Sequence, residues 1–141
     1  MIGWIAGLVR DTGQQNGVNM IKNRYLIVFN TCPDEHSAAT LARALVTDGL
    51  AACVNRVPGV RSTYRWQGEI RDESEILLVI KTSADRLGTL TARIEQLHPY
   101  EVPEIIALEI GAGSERYLDW LGQILSRNTT ARAPAPTQEP R

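Results

Sequence analysis

The stretch LAACVNRVPGVRSTYRWQGEIRDESEILLVIKT, residues 50–82, decides the fold. Gln67-Gly68 predicts a tight turn between two runs of strand-forming residues, so we interpret the stretch as one long β-hairpin. Pro58-Gly59 interrupts the first arm and predicts a bulge or a bend, because proline cannot donate a hydrogen bond to a neighbouring strand. The second arm ends in EILLVIK, an apolar run that is typical of a buried strand.

The segments before the hairpin predict one strand and one helix. RYLIVFNT, residues 24–31, is a continuous apolar run, which indicates a buried strand. The apolar residues between positions 38 and 46 recur with helical spacing. Pro33 and Asp34 mark the start of this helix and Gly49 marks its end.

The segments after the hairpin predict a helix, a strand and a further helix. The second helix covers residues 83–98 and has Ser83 as its cap. A fourth strand follows at residues 104–110, and a third helix at residues 114–125 has Ser114 as its cap. The order β-α-β-β-α-β plus a C-terminal helix predicts an α+β, ferredoxin-like sandwich with an antiparallel sheet and two helices on one face.

The length and the two ends of the chain set the domain boundaries. The 141 residues suffice for one ordinary domain, which we place at residues 23–127. Residues 1–22 are predicted to be a flexible N-terminal extension: their apolar part is too short to span a membrane and lacks the marks of a signal peptide. Residues 128–141, rich in proline, alanine and threonine, are predicted to be a disordered tail.

Charge and cysteine content narrow the class of protein. Fifteen basic and sixteen acidic residues nearly cancel, so neither nucleic acid nor an anionic membrane is an expected partner. Two cysteines do not make a disulfide framework, and this favours a reducing, cytoplasmic location.

The hairpin is also predicted to extend beyond the sheet. Its far end, with Tyr64 and Trp66, would expose apolar surface in a monomer, so we expect an obligate oligomer. Together with Tyr100 and Trp120 these aromatics are candidates for an intersubunit cleft. Arg65 alternates with them and is either an anion contact there or part of a solvated strand face.

The segment LHPYEVPEII, residues 97–106, holds the candidate metal ligands His98, Glu101 and Glu104. Imidazole suits copper, zinc and nickel, and carboxylates can complete a site. With only two histidines in the chain, a histidine-rich site would need ligands from several subunits. The alternative is a turn that ends the helix, in which His98 and the glutamates make hydrogen bonds at the helix end.

Cys32 is the fourth candidate ligand. It lies at the predicted N-terminus of the first helix, where the helix dipole favours a thiolate suited to copper(I) or redox chemistry. Asp34 and Glu35 oppose a thiolate, and the alternative is a small residue at a turn. Cys53 is predicted to be inert core, and His36 to be solvated.

Five motifs now identify a family. TCPDE, GLAACVNRVPGVRSTYRWQGEI, LLVIKT, LHPYEVPEIIAL and YLDWL resemble, in this order, the CutA divalent-cation-tolerance proteins over about residues 25–127. The resemblance implies a ferredoxin-like protomer in a tight homotrimer, with hairpins joining strands between subunits as in PII-like proteins. It also implies a link to copper binding and to tolerance of divalent cations, and in animal relatives to anchoring a membrane enzyme.

The resemblance also implies a ligand set for copper. In a bacterial member the proposed ligands are a cysteine at the end of the first strand and two adjacent histidines before the PY motif. These positions are Asn30, Leu97 and His98 here, so only His98 keeps its residue type. Cys32 lies two residues beyond Asn30.

The leading hypothesis is a CutA-like homotrimer that binds divalent cations, copper above all, and acts in metal-ion tolerance. The alternative is a PII-like signalling or scaffolding trimer that binds a small ligand or a partner protein in its intersubunit clefts. A thiol enzyme that uses Cys32 and His98 is a third option. The chain contains no GxSxG motif and no phosphate-binding glycine loop, so we expect a binding protein rather than an enzyme.

Overall fold

A computed structural model of the protein describes residues 24–127. The extension predicted at residues 1–22 and the tail predicted at residues 128–141 lie outside this range. The described elements, in chain order, are β1 (Tyr25–Cys32), α1 (Glu35–Thr47), β2 (Cys53–Trp66), β3 (Glu69–Ser83), a 3₁₀ turn (Ala84–Arg86), α2 (Leu87–Leu97), β4 (Ile106–Glu109) and α3 (Glu115–Arg127).

The four strands form one antiparallel sheet in the order β2-β3-β1-β4. The two central strands, β1 and β3, are the apolar runs recognised in the sequence. Helices α1 and α2 pack on one face, where their apolar residues join alternate residues of β1 and β3 in the main core. The predicted α+β, ferredoxin-like plan is therefore confirmed.

The hairpin is long and bent, as predicted. Gln67 and Gly68 form its tip with positive φ angles of 50° and 81°. The pairing of β2 with β3 shifts register between Val57 and Val60, so Pro58-Gly59 is the expected bulge. Strand β1 pairs with β3 only from Ile76 onward, so the outer half of the hairpin extends past the sheet.

The sheet face opposite the helices is apolar and only partly covered. Directly paired residues share a face, so Ile27 and Leu108 lie side by side, as do Phe29 and Ile106. With Val79, which pairs with Phe29, these five residues define what we call the open face. Ile106 and Leu108 are each 49% exposed, so this face remains accessible in the protomer.

Helix α3 covers one end of the sheet face that lies opposite α1 and α2. Leu121 and Leu125 pack with Ala52 and Tyr25 in a second, smaller core. The predicted cap is present, since the Ser114 hydroxyl accepts a hydrogen bond from the Tyr117 backbone N–H at 3.4 Å. Among the helices of residues 24–127, none is long and apolar enough to cross a membrane.

One local prediction was wrong. Helix α2 begins at Leu87, after a 3₁₀ turn, and Ser83 makes no capping bond because its hydroxyl donates to the Asp85 carboxylate instead. In α3, Tyr117 is exposed, and the half-buried Trp120 packs against the second core.

Candidate functional site

The structure brings Cys32 and His98 together. Cys32 is the last residue of β1, and His98 immediately follows α2, where Pro99 keeps it extended at φ −72° and ψ 139°. The Cys32 sulfur lies 3.7 Å from His98 Nε2. Both residues are buried, with Cys32 fully inaccessible and His98 8% exposed. Two of the four candidate metal ligands thus lie next to each other in the protein interior.

Both ring nitrogens of His98 have hydrogen-bond partners. The Tyr100 backbone N–H donates to Nδ1 at 3.0 Å, so Nδ1 carries a lone pair. Nε2 lies 2.8 Å from the Thr31 carbonyl oxygen and therefore carries the proton that it donates there. These bonds end helix α2 and fix the turn, which is the structural role considered for His98 in the sequence.

Asn30 connects this pair to the strand that follows. Its fully buried side chain accepts a hydrogen bond from the Cys32 thiol at Oδ1, over 3.4 Å. Its Nδ2 donates to the Glu104 backbone carbonyl at 2.9 Å. At a position where the resemblance implies a cysteine ligand, this chain therefore has an amide that holds the entry to β4.

The Cys32 thiol is protonated in this setting. Burial, reinforced by the negative charges of Asp34 and Glu75, raises its pKa to about 11. The Asp34 carboxylate caps α1 by accepting from the Ser37 backbone N–H at 2.7 Å, and this bond holds the pKa of Asp34 below its usual value. The helix dipole expected to favour a thiolate is thus outweighed by desolvation and by nearby carboxylates.

His98 is neutral for a related reason. Burial disfavours the imidazolium and lowers the pKa of His98, although the bond to the Thr31 carbonyl and the charge of Glu75 oppose this shift. A neutral imidazole beside a protonated thiol can bind a metal ion such as copper or zinc once the thiol proton is lost and the imidazole proton has moved from Nε2 to Nδ1.

A second polar cluster adjoins the first and was missed in the sequence. The Tyr100 hydroxyl donates to Glu75 Oε2 at 2.9 Å, and the Tyr64 hydroxyl donates to Glu73 Oε2 at 2.7 Å. The Tyr100 and His98 rings lie 4.9 Å apart, which joins the two clusters. Glu75 is 6% exposed. The available signal was a glutamate that directly precedes the buried run ILLVI.

Burial and the two carboxylates also change the acidity of the phenols. Desolvation, followed by the bond to Glu75, raises the pKa of Tyr100 strongly. The bond to Glu73 raises the pKa of Tyr64. Both tyrosines are therefore neutral hydrogen-bond donors, and the cluster is acidic.

The other two candidate ligands do not join the pair. The side chains of Glu101 and Glu104 are exposed, and Glu104 contributes its backbone carbonyl rather than its carboxylate. Over residues 24–127, no three side chains of histidine, cysteine, aspartate or glutamate converge in a way that would hold a metal ion.

The aromatic and arginine candidates separate into three places. Tyr64 and Tyr100 belong to the acidic cluster. Trp66 is partly exposed at the hairpin tip, where Arg65 donates to the Gly68 carbonyl at 3.4 Å. Trp120 lies in the second core. Within one protomer these residues do not form a single cleft.

The remaining cysteine and histidine lie elsewhere. His36 is exposed, as predicted. Cys53 was predicted to be core, but it is half-buried and pairs across the strands with Lys81, whose Nζ lies 4.0 Å from its sulfur. Cys53 lies on the face of the sheet opposite the helices, and this explains why its side chain is partly exposed.

Comparison with known proteins gives a consistent result. The CutA1 divalent ion tolerance protein family matches residues 26–124. The divalent-cation tolerance protein CutA of Thermus thermophilus is 53% identical over 95 residues, which cover 67% of this chain and 92% of that protein. The chloroplastic protein CutA of Arabidopsis thaliana is 46% identical over 68% of this chain, but only 53% of its own length is covered.

A solved structure agrees with the sequence relatives. The crystal structure of CutA from Xylella fastidiosa superposes with a TM-score of 0.70 at 44% identity, over 72% of this chain and 97% of that one. The family match covers β1 and reaches into α3, and so includes Cys32, His98 and the acidic cluster. The chain belongs to the CutA1 divalent ion tolerance protein family.

Proposed function

We propose that the protein is a homotrimeric CutA protein of the cytoplasm that binds copper, or another divalent cation, and acts in tolerance of metal ions. The observation that carries this proposal is the contact between Cys32 and His98, whose sulfur and Nε2 lie 3.7 Å apart. A thiolate and an imidazole are the donors that copper and zinc prefer. The role is binding rather than catalysis.

The spacing of the two donors fits one ion. Metal–sulfur bonds of about 2.3 Å and metal–nitrogen bonds of about 2.0 Å allow two ligands of one ion to be up to about 4.3 Å apart. Cys32 and His98 lie within this limit without movement of the backbone. They supply two donors per protomer, so further ligands would come from another subunit, from solvent or from the ion's carrier.

Binding would displace protons and hydrogen bonds. The Cys32 thiol must lose its proton, and the ring proton of His98 must move from Nε2, where it is donated to the Thr31 carbonyl, to Nδ1, where it displaces the hydrogen bond from the Tyr100 backbone N–H. Affinity should therefore rise with pH, and binding should release protons.

The surface of the protomer supports a homotrimer. The open face leaves Ile106 and Leu108 half exposed, and the outer hairpin presents Trp66 and Ile70, the latter 60% exposed. Exposed apolar side chains of this size mark an interface, and the unpaired outer edges of β2 and β4 can pair with other strands. A second copy of the chain would cover these surfaces.

A copper titration tests the proposal. Copper(I) would be titrated into reduced protein in competition with a chromophoric chelator, and copper(II) would be followed by calorimetry. The chain offers matched controls, because it has two cysteines and two histidines, and one residue of each type lies inside the site and the other outside it. We expect Cys32→Ser and His98→Gln to weaken binding at least tenfold, and Cys53→Ser and His36→Gln to leave it unchanged. Equal affinity of all four variants would refute the site.

One observation favours the alternative, a PII-like trimer that binds a small ligand or a protein partner. Both nitrogens of His98 are already engaged, so the imidazole has a complete structural role without a metal. A thermal-shift screen with nucleotides and small acids tests this alternative. A ligand at 100 times its dissociation constant should stabilise the protein by about 2.7 kcal/mol. Stabilisation by such a ligand, with no effect of copper, would favour the alternative.

A further inference from the structure

Glu75 is a buried carboxylate with no cationic partner among the described residues of its own protomer. It is 6% exposed, and its hydrogen bond comes from the neutral Tyr100 hydroxyl. The four ion pairs found among residues 24–127 all use other carboxylates. A buried carboxylate that lacks a cation is destabilising, because the charge has lost its water without gaining a partner, and such groups are normally paired.

Lys81 is the complementary case on the same strand. It is half-buried, and its Nζ contacts the Cys53 sulfur, at 4.0 Å, rather than a carboxylate. It pairs directly with Ile27 of the open face, so a subunit that covers this face would also bury the lysine. Lys81 would then lose its water and need an anionic partner.

The two residues cannot meet within one protomer. They lie six positions apart on β3, which separates them by about 20 Å at about 3.3 Å per residue. An even spacing places both on the same side of the strand, the side that carries Val79 of the open face. In a closed ring, each copy uses two different surfaces to contact its two neighbours. The surface that carries Glu75 in one copy can therefore meet the surface that carries Lys81 in the next copy.

We propose that Glu75 forms an ion pair with Lys81 of a neighbouring copy, and that the acidic cluster is completed by this lysine. The inference rests on the proposed homotrimer and deepens it by naming the contact. The Tyr100 hydroxyl occupies Glu75 Oε2 and leaves the other oxygen to accept from the ammonium. The same contact repeats around the ring, because Glu75 of each subunit faces Lys81 of the next, and it fixes the orientation of each subunit relative to its neighbours.

A double-mutant cycle on subunit exchange tests the pair. Two populations with different fluorescent labels would be mixed, and the exchange rate followed by energy transfer. We expect Glu75→Gln and Lys81→Met each to speed exchange about tenfold or more, since truncating one partner of a buried pair acts on dissociation. The double variant should exchange no faster than the faster single variant. If Glu75→Gln does not fold, Glu75→Asp replaces it in the cycle and should show a smaller coupling to Lys81→Met, because it withdraws the carboxylate without removing its charge.

The matched control is Glu73→Gln, which changes the neighbouring carboxylate of the same cluster. Its effect should add to that of Lys81→Met without coupling. Additive effects of Glu75→Gln and Lys81→Met in an intact oligomer would overturn the ion pair and leave the trimer standing. A mass near that of one chain, 15.6 kDa, in light scattering would instead refute the trimer and the pair together.

Discussion

The Cys32 sulfur and His98 Nε2 lie 3.7 Å apart, although 66 positions separate the two residues in the chain. The contact exists because β1 ends where α2 ends, at one edge of the main core. Neither residue is activated there: the thiol keeps its proton, and the imidazole donates to a backbone carbonyl. The pair is a packed structural contact that offers a thiolate and an imidazole to an ion that displaces the thiol proton and shifts the imidazole proton to Nδ1.

Loss of the Tyr100 hydroxyl should destabilise the protein. Tyr100→Phe removes the hydrogen bond to the buried Glu75, and a buried group left without its partner costs about 1–3 kcal/mol. Tyr64→Phe is the matched control, because it removes the same kind of bond from the more exposed Glu73. Urea unfolding of both variants measures the difference, and equal losses would contradict the central role of Glu75.

The metal-free protein should lose stability in acid through His98. Burial lowers the folded pKa of His98, so the unfolded chain binds the proton first as pH falls below the ordinary value of about 6.5. Stability from this residue is therefore complete above about pH 6.5 and declines below it. Urea unfolding at pH 7.5 and pH 5, with a chelator present, should show a smaller decline in His98→Gln than in the parent. The control is His36→Gln, which changes an exposed residue and should lose as much stability between the two pH values as the parent. If His98→Gln also loses as much stability as the parent, the assignment of the acid-sensitive group to His98 is contradicted.

Gly122 should be replaceable only if Tyr25 changes too. A methyl group at Gly122 would overlap the Tyr25 hydroxyl, whereas the ring carbon that carries the hydroxyl would lie 3.5 Å away, an ordinary contact. Overpacking costs about 1–3 kcal/mol and exceeds the gain of up to about 1 kcal/mol from alanine in a helix. Gly122→Ala should therefore destabilise the parent but stabilise Tyr25→Phe.

The control for that prediction is Gly88, which also lies in a helix. A methyl group there meets nothing within 4 Å, so Gly88→Ala should stabilise the parent by about 0.5–1 kcal/mol. Thermal unfolding compares the variants. A loss of stability in both alanine variants would show that helix context, and not the Tyr25 hydroxyl, decides the outcome at Gly122.

Local patterns in the sequence predicted much of the fold. The tip at Gln67-Gly68 and the bulge at Pro58-Gly59 were recognisable because each depends on the conformational limits of one or two residues. The strands β1 and β3 were recognisable because both are central and buried. The start of α2 was not recognisable, because a 3₁₀ turn precedes the helix and the Ser83 hydroxyl donates to Asp85 instead of capping it.

The site depended on tertiary contacts that no local pattern contains. Cys32 and His98 were each recognised as candidates, but their contact follows from where two elements end. Glu75 was missed because its hydrogen-bond partner, Tyr100, lies 25 positions away in the chain. Glu101 and Glu104 had suitable chemistry, yet their carboxylates face solvent because the turn presents its backbone to the core.

The most direct test of the central claim is X-ray absorption at the copper edge on reduced protein loaded with copper(I). With Cys32 and His98 as ligands, the first shell should contain one sulfur at about 2.2–2.3 Å and at least one nitrogen. The sulfur signal should vanish in Cys32→Ser and persist in Cys53→Ser. A first shell of oxygen and nitrogen alone, or a sulfur signal that persists in Cys32→Ser, would contradict the account.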